Sequence, residues 1–302
     1  DGRCRAAIHF DLLDDLRINK QPAFVPDIQI CPRPIDPDDN PVVCQAANDR
    51  HLNCAAWPTR NLDTGHPAQD IAKIVWLTAL EFFLIDDSGR NLQVPISPRS
   101  GKRRKAAETM SIRALDQFDL FFTDLYDACE EMDIPADTAI SEAGLGQFEI
   151  NLMHCDDALR AADDAWLFKM LVKGLARRHG FAASFMAKPY EDYSGSGLHT
   201  HFSVLDENGD NIFDDGGPKG TDTLRHAVAG CMNAMQGSAL VFCPHANSFD
   251  RMVPESHAPT GVCWAYENRT AAIRIPSGSH KARRIEHRVS GGDVNPYLML
   301  AA

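Results

Sequence analysis

The order of apolar and polar positions divides the chain into two unlike parts. Over about the first 65 residues the apolar runs are short, such as Ala7–Phe10 and Pro41–Cys44, and they lie among Pro, Asp and Asn. That pattern predicts a small β-rich N-terminal domain over residues 1–65, closed by the linker Asn61–Gly65. Over residues 66–302, strand signals alternate with long helical patterns. Leu80–Ile85 and Phe148–Leu152 are compact apolar runs that read as strands. Ile112–Met132 and Ala158–His179 space their apolar residues at helical intervals, and Asp156 and Asp157 are both placed to cap the second. Thr221–Ser238 forms a third helix, apolar through Val228, Met232 and Met235.

The bulk numbers narrow the classes of function. A chain of 302 residues can bury a sizeable core, as one large domain or two unequal ones. Its formal net charge of −12 argues against a nucleic-acid surface or an anionic membrane face, and is compatible with a cationic substrate. No apolar stretch has the length of a membrane span, and no signal peptide opens the sequence. The nine cysteines are scattered with no CxxC pair, which predicts reduced thiols in a cytoplasm. The basic stretch Ser97–Lys105 reads as a solvated loop, with a phosphate-gripping loop as the sharper alternative.

Candidate chemistry is concentrated in five segments. They are Leu80–Leu84 with Glu81, Glu142–Glu149, Gly195–His201, Asn268–Pro276 and Arg283–Arg288. Glu142 and Glu149 bracket Gly144 and Gly146, glycines that suit a tight turn bringing the two carboxylates together. His199 and His201, two residues apart, share one face of a strand, as do Glu286 and Arg288. Each segment alone has a plainer explanation: exposed glutamates beside a loop, satisfied core histidines, a solvated basic face. Together they supply hard donors for Mg²⁺ or Mn²⁺ and guanidinium forks for phosphates and a carboxylate. That inventory belongs to an ATP-dependent carboxylate ligase.

From about Pro67 to Ala302 the sequence resembles the glutamine synthetase family, specifically its type I, amine-ligating branches. The motifs that carry the resemblance are EAGLGQFE, KPYEDYSGSGLHTHFS, NSFDRMVP, NRTAAIRIP and RRIEHR…NPYL. It implies that Glu81, Glu142 and Glu149 hold one metal, and that His199 and Glu286 hold a second on the nucleotide phosphates. It implies nucleotide and phosphoryl clamps at Arg269, Arg274 and Arg284, with His201, Ser203 and Lys281 near ATP. Arg251, Arg288, Arg269 and the backbone at Gly195 would grip the amino-acid substrate. The implied reaction phosphorylates the γ-carboxylate of glutamate with ATP, after which an amine displaces phosphate.

The implied fold is α+β: a small N-terminal β-grasp-like domain, then a catalytic domain with a curved antiparallel sheet flanked by helices. The implied assembly is a ring-shaped homo-oligomer with active sites shared between subunits.

Four departures separate this sequence from the family pattern. Ala79 stands where the family has the first glutamate of Glu-x-Glu, which removes a carboxylate from the second metal site. His257 stands where glutamine synthetase proper has a flap glutamate that holds ammonium, which points to a bulkier amine as nucleophile. The ammonia-activating aspartate is not found, so residues are expected to be missing between about Lys20 and Gln21. The sequence also stops just after Asn295–Leu298, so a helical block is expected beyond it. Three readings follow: a glutamate–organic amine ligase, a glutamine synthetase proper, or an impaired relative serving a binding or structural role.

Overall fold

The segment KIVWLTALEFFLI is dense in β-branched and aromatic residues, and it forms the 13-residue strand β1 (Lys73–Ile85) at the centre of the sheet. A computed structural model describes residues 73–302 except Glu255; the N-terminal domain expected over 1–65 lies outside the described residues. The other strands are β2 (Ala136–Ser141), β3 (Gln147–Cys155), β4 (Ala182–Ser184), β5 (Leu198–Leu205), β6 (Trp264–Tyr266), β7 (Ile273–Ile275) and β8 (Ile285–His287). They form one eight-stranded sheet in the order β2-β3-β1-β5-β8-β7-β6, with β4 paired to β1. Every described pairing is antiparallel except β6 with β7. The fold of the described residues is therefore α+β, with a mostly antiparallel sheet.

The period-two alternation of β1 sorts its residues between two faces. Leu80, Phe82 and Leu84 enter the core with Phe148, Ile150 and Leu152 of β3. Helices α2 (Asp119–Glu131) and α3 (Ala158–Arg178) close over that face. Phe82 meets Phe148, Phe168 and Phe185 at ring distances of 5.4–6.4 Å. Each such ring, fully buried, contributes roughly 1.5–3 kcal/mol. Ala79 and Glu81 of β1 and Gln147 and Glu149 of β3 are left to the other face.

One expected helix is broken, and the other two differ from their sequence-based bounds only at their ends. The expected Ile112–Met132 helix is broken into α1 (Ile112–Asp116) and α2, because Phe118 leaves helical geometry to enter the core. There it packs edge-on to Phe148 and Phe181, while the Gln117 carboxamide accepts from Ser97 Oγ at 2.7 Å. At the start of α3, only Asp157 acts as the cap, accepting from the backbone N–H groups of Leu159 and Arg160. Asp156 instead pairs with Lys73 on β1. Helix α4 (Asp222–Met235) is capped by Thr221 and buries Val228 and Met235, with Met232 half-buried against the core. Short helices α5 (Ala239–Phe242) and α6 (Pro296–Ala301) complete the described residues, and no helix among them is long and apolar enough to cross a membrane. The basic loop is mostly exposed but pinned to the body by Arg103 on Asp86 and by Arg99 on Asp116 and Asp119.

Candidate active site

Register decides which side chains meet. Glu81 lies opposite Glu149 across β1 and β3, and Ala79 lies opposite His199 across β1 and β5. His201 lies opposite Glu286 on β8, and Glu286 opposite Arg274 on β7. Directly opposed residues share a face, so one side of the sheet carries a continuous row of acids, imidazoles and a guanidinium.

Glu81, Glu149 and His199 offer ligand atoms that all lie within 4.8 Å of one another. Glu142 sits just past the end of β2, in the turn closed by Gly146, whose φ of +77° favours glycine. It stands outside that close group, but its charge acts on Glu149. Burial pushes the Glu142 and Glu149 carboxyls up to about 7 and about 8, and the charge of Glu81 pushes both the same way. Burial also raises Glu81, against the opposing charge of Arg251. Buried acids that repel one another are stabilised by a divalent cation. His199 is held well below the usual imidazole range, first by burial and then by Arg288 and Arg251. It is therefore neutral, the form that ligates metals. Hard oxygens with an imidazole and no thiolate fit Mg²⁺ or Mn²⁺, so Glu81, Glu149 and His199 are the residues that would hold one.

Glu286 is buried between two arginines, with Arg274 Nη1 at 2.7 Å and Arg288 Nη1 on its other oxygen. Burial raises its carboxyl, but His201, Arg288 and Arg274 outweigh that and leave it lowered. His199 Nδ1 lies 3.8 Å from Glu286 Oε1 and 3.9 Å from Glu81 Oε1. The family pattern divides Glu81, Glu142 and Glu149 from His199 and Glu286; in the structure His199 stands between Glu81 and Glu286, in the tighter group with Glu81. His201 accepts from Arg284 Nε at 3.1 Å through Nδ1, which leaves its ring proton on Nε2. Burial lowers that imidazole to about 4.

The remaining expected residues surround this row. Arg251 is buried; it donates to the carbonyls of Val289 and Arg288 and lies 3.3 Å from His199 Nε2. Ser203 Oγ donates to the carbonyl of Arg283, and Lys281 is exposed on the turn His280–Ala282. Arg269 is exposed, and its carbonyl accepts from Arg288 Nε at 2.9 Å. His257 is exposed too, and its carbonyl accepts from Arg288 Nη2 at 3.1 Å. Arg288 thus ties the site to two rim segments.

Two participants lie outside the set of residues expected from the motifs. Gly197 N donates to Glu81 Oε2 at 2.7 Å, and Gln147 is buried against the same oxygen. Both fall inside quoted motifs, but their contacts depend on register, which a motif does not print.

Residues 64–302 match the glutamine synthetase catalytic domain, and the chain belongs to the glutamine synthetase family. It is 40% identical over 226 residues to gamma-glutamylputrescine synthetase PuuA of Escherichia coli (strain K12), covering 74% of this chain and 48% of that protein. It is 37% identical over 193 residues to a glutamine synthetase of Clostridium saccharobutylicum, covering 61% and 43%. Among solved structures, a GmaS/ADP complex matches with a TM-score of 0.65 at 30% identity, covering 76% of this chain and 52% of that one. The chain spans about half the length of the curated relatives it matches.

Proposed function

We propose that the protein joins the γ-carboxylate of glutamate to an organic amine, using ATP and passing through γ-glutamyl phosphate. The observation that carries this reading is the close group Glu81–Glu149–His199 beside the arginine-rich row of Arg274, Arg284 and Arg288 on one sheet face. A bound Mg²⁺ or Mn²⁺ would neutralise charge on the transferring phosphoryl oxygens. The chain's own groups do the rest. Arg274 and Arg284 clamp phosphate oxygens, with His201, Ser203 and Lys281 on the nucleotide side. Arg251, Arg269, Arg288 and the Gly195 backbone orient the amino acid, so that reacting groups are held together rather than meeting by diffusion. Glu142, whose charge acts on Glu149, would join Glu81 and Glu149 around that metal.

The preference for an organic amine rests on His257 and on kinship with a gamma-glutamylputrescine synthetase. A site that selects ammonium needs several acceptors around a small cation, and an imidazole in place of a carboxylate removes an anionic one. An alkyl amine recovers the loss by burying methylenes, at roughly 0.8 kcal/mol each. The wider proposal includes a cytoplasmic setting, suggested by the free thiols of Cys129, Cys155, Cys231 and Cys243, and a ring-shaped homo-oligomer with shared active sites.

The test is metal-dependent phosphate release from ATP and glutamate over a panel of amines, with Glu149→Ala as control. The expected result is a kcat/KM for the best organic amine at least ten times that for ammonium, about 1.4 kcal/mol, and no release by the variant. Ammonium winning by ten-fold makes the protein a glutamine synthetase proper. No release with any amine favours the binding or structural role that Ala79 suggests.

A further inference from the structure

We infer that Gln147 is a positioning residue: its buried carboxamide ties the segments carrying Glu142, Glu149, Glu81 and Gly195–Gly197 together and sets which oxygen of Glu81 faces a bound metal. The inference rests on the reading of Glu81, Glu149 and His199 as a divalent-cation site.

Gln147 opens β3 two residues before Glu149 and is 2% exposed. It lies opposite Phe83, so it shares the face of Glu81 and Glu149. Both ends of its carboxamide are used. Oε1 accepts from Gly144 N at 2.9 Å, inside the turn that presents Glu142. Nε2 donates to the Gly195 carbonyl at 2.9 Å and reaches Glu81 Oε2 at 3.4 Å. An N–H on one side and two acceptors on the other admit a single orientation of the amide. The backbone of the same residue closes the turn, accepting from Glu142 N and donating to the Gly144 carbonyl, each at 3.0 Å.

The turn is built directly against this side chain. A Cβ added at Gly144 would meet Gln147 Oε1 at 2.7 Å and the Phe83 ring at 2.6 Å. Glu81 Oε2 receives Gly197 N as well as Gln147 Nε2, whereas Glu81 Oε1 is the oxygen of that carboxylate that faces His199 Nδ1, at 3.9 Å. One oxygen is thereby held by donors and the other is left for the site. An amide suits this position where an acid would not, because it supplies donors without adding charge to a buried acidic group. Groups that orient metal-ligating carboxylates in this way affect metal affinity by about 10–100-fold when removed.

The experiment titrates Mn²⁺ into the wild-type protein, Gln147→Met, Gln147→Asn and Ile150→Val, and records the Tm of each without metal. Gln147→Met keeps the volume and removes the three side-chain polar contacts while leaving the backbone ones; Gln147→Asn keeps the polarity but is a methylene too short to span the gap. Ile150→Val lies on the same strand, fully buried on the opposite face, and reports what a purely structural perturbation does. Both Gln147 variants are expected to lose Mn²⁺ affinity about ten-fold or more, while Ile150→Val binds as wild type whatever its change in Tm. If Gln147→Met fails to fold, Gln147→Asn decides alone. Variant affinities within two-fold of wild type overturn the inference and leave the metal site standing. A wild-type protein that binds no Mn²⁺ overturns the metal site itself, and the positioning role with it.

Discussion

At the scale of single residues, parity along a strand separates functional side chains from structural ones of the same type. His199 and His201 face the acids of the site, whereas His287, one residue from Glu286, packs at a tilt against Phe242, with ring centres 4.6 Å apart, inside the core. Ala79 shares that parity with Glu81, is 3% exposed and lies opposite His199. A carboxylate there would join Glu81, Glu149 and Glu286 on one face. Ala79→Glu should therefore lower the Tm of the metal-free protein, because buried like charges repel. It should also enlarge the rise in Tm on adding Mg²⁺ or Mn²⁺, which binding to the folded state alone produces. Thermal melts with and without metal check both signs, and an unchanged metal-dependent rise would place position 79 outside the metal's reach. The acids and histidines were legible in the sequence because metal and phosphate chemistry requires those residue types. The role of Gln147 was not, because it depends on a turn, a register and a carbonyl 48 residues away.

At the scale of elements, the legible parts were those built on local rules. The second half of β1, the centre of β3 and the span of α3 follow from propensity and periodicity, whereas the first half of β1 and the Thr221 cap were not read from them. The break between α1 and α2 was hidden, since neither Gly nor Pro marks it: Phe118 abandons the helix for aromatic neighbours at positions 148 and 181. The start of α3 shows how close the choice between neighbours is. Asp156 and Asp157 both suit a cap by type, yet only Asp157 accepts the first-turn N–H groups. Asp157→Ala should destabilise the protein by about 0.5–2 kcal/mol. Asp156→Ala removes only an ion pair with Lys73 in which both side chains are more than half exposed, and should cost less than the loss of the cap. Denaturant unfolding of the two variants measures the difference, and equal losses would show that the cap is shared.

At the scale of the whole molecule, the sheet separates two environments: an aromatic core under α2 and α3, and a charged face bearing the site. Lys169 of α3 lies outside the second environment yet is only 6% exposed, with Nζ donating to the carbonyl of Val294 at 2.9 Å and lying 5.7 Å from the Phe185 ring centre. It fastens α3 to the segment just before α6. Burial lowers its pKa to about 8, helped by the charge of Lys173 and opposed by Asp293. An unfolded lysine keeps a pKa near 10.4. Below about pH 8 the ammonium is charged in both states, and the folded state bears the full burial penalty. Between about 8 and 10.4 the unfolded chain binds more protons than the folded one, so this residue's contribution to stability improves as pH rises. The shift corresponds to a change on the order of 3 kcal/mol across that window. Lys169→Met removes the titration and nearly conserves the length of the side chain. The stability of wild type relative to this variant should therefore rise between pH 7 and pH 10, whatever its sign at pH 7, since the Val294 bond survives in either protonation state. Paired thermal melts at the two pH values decide it: a pH-independent difference would mean that Lys169 reaches water in the folded protein and titrates as an ordinary surface lysine.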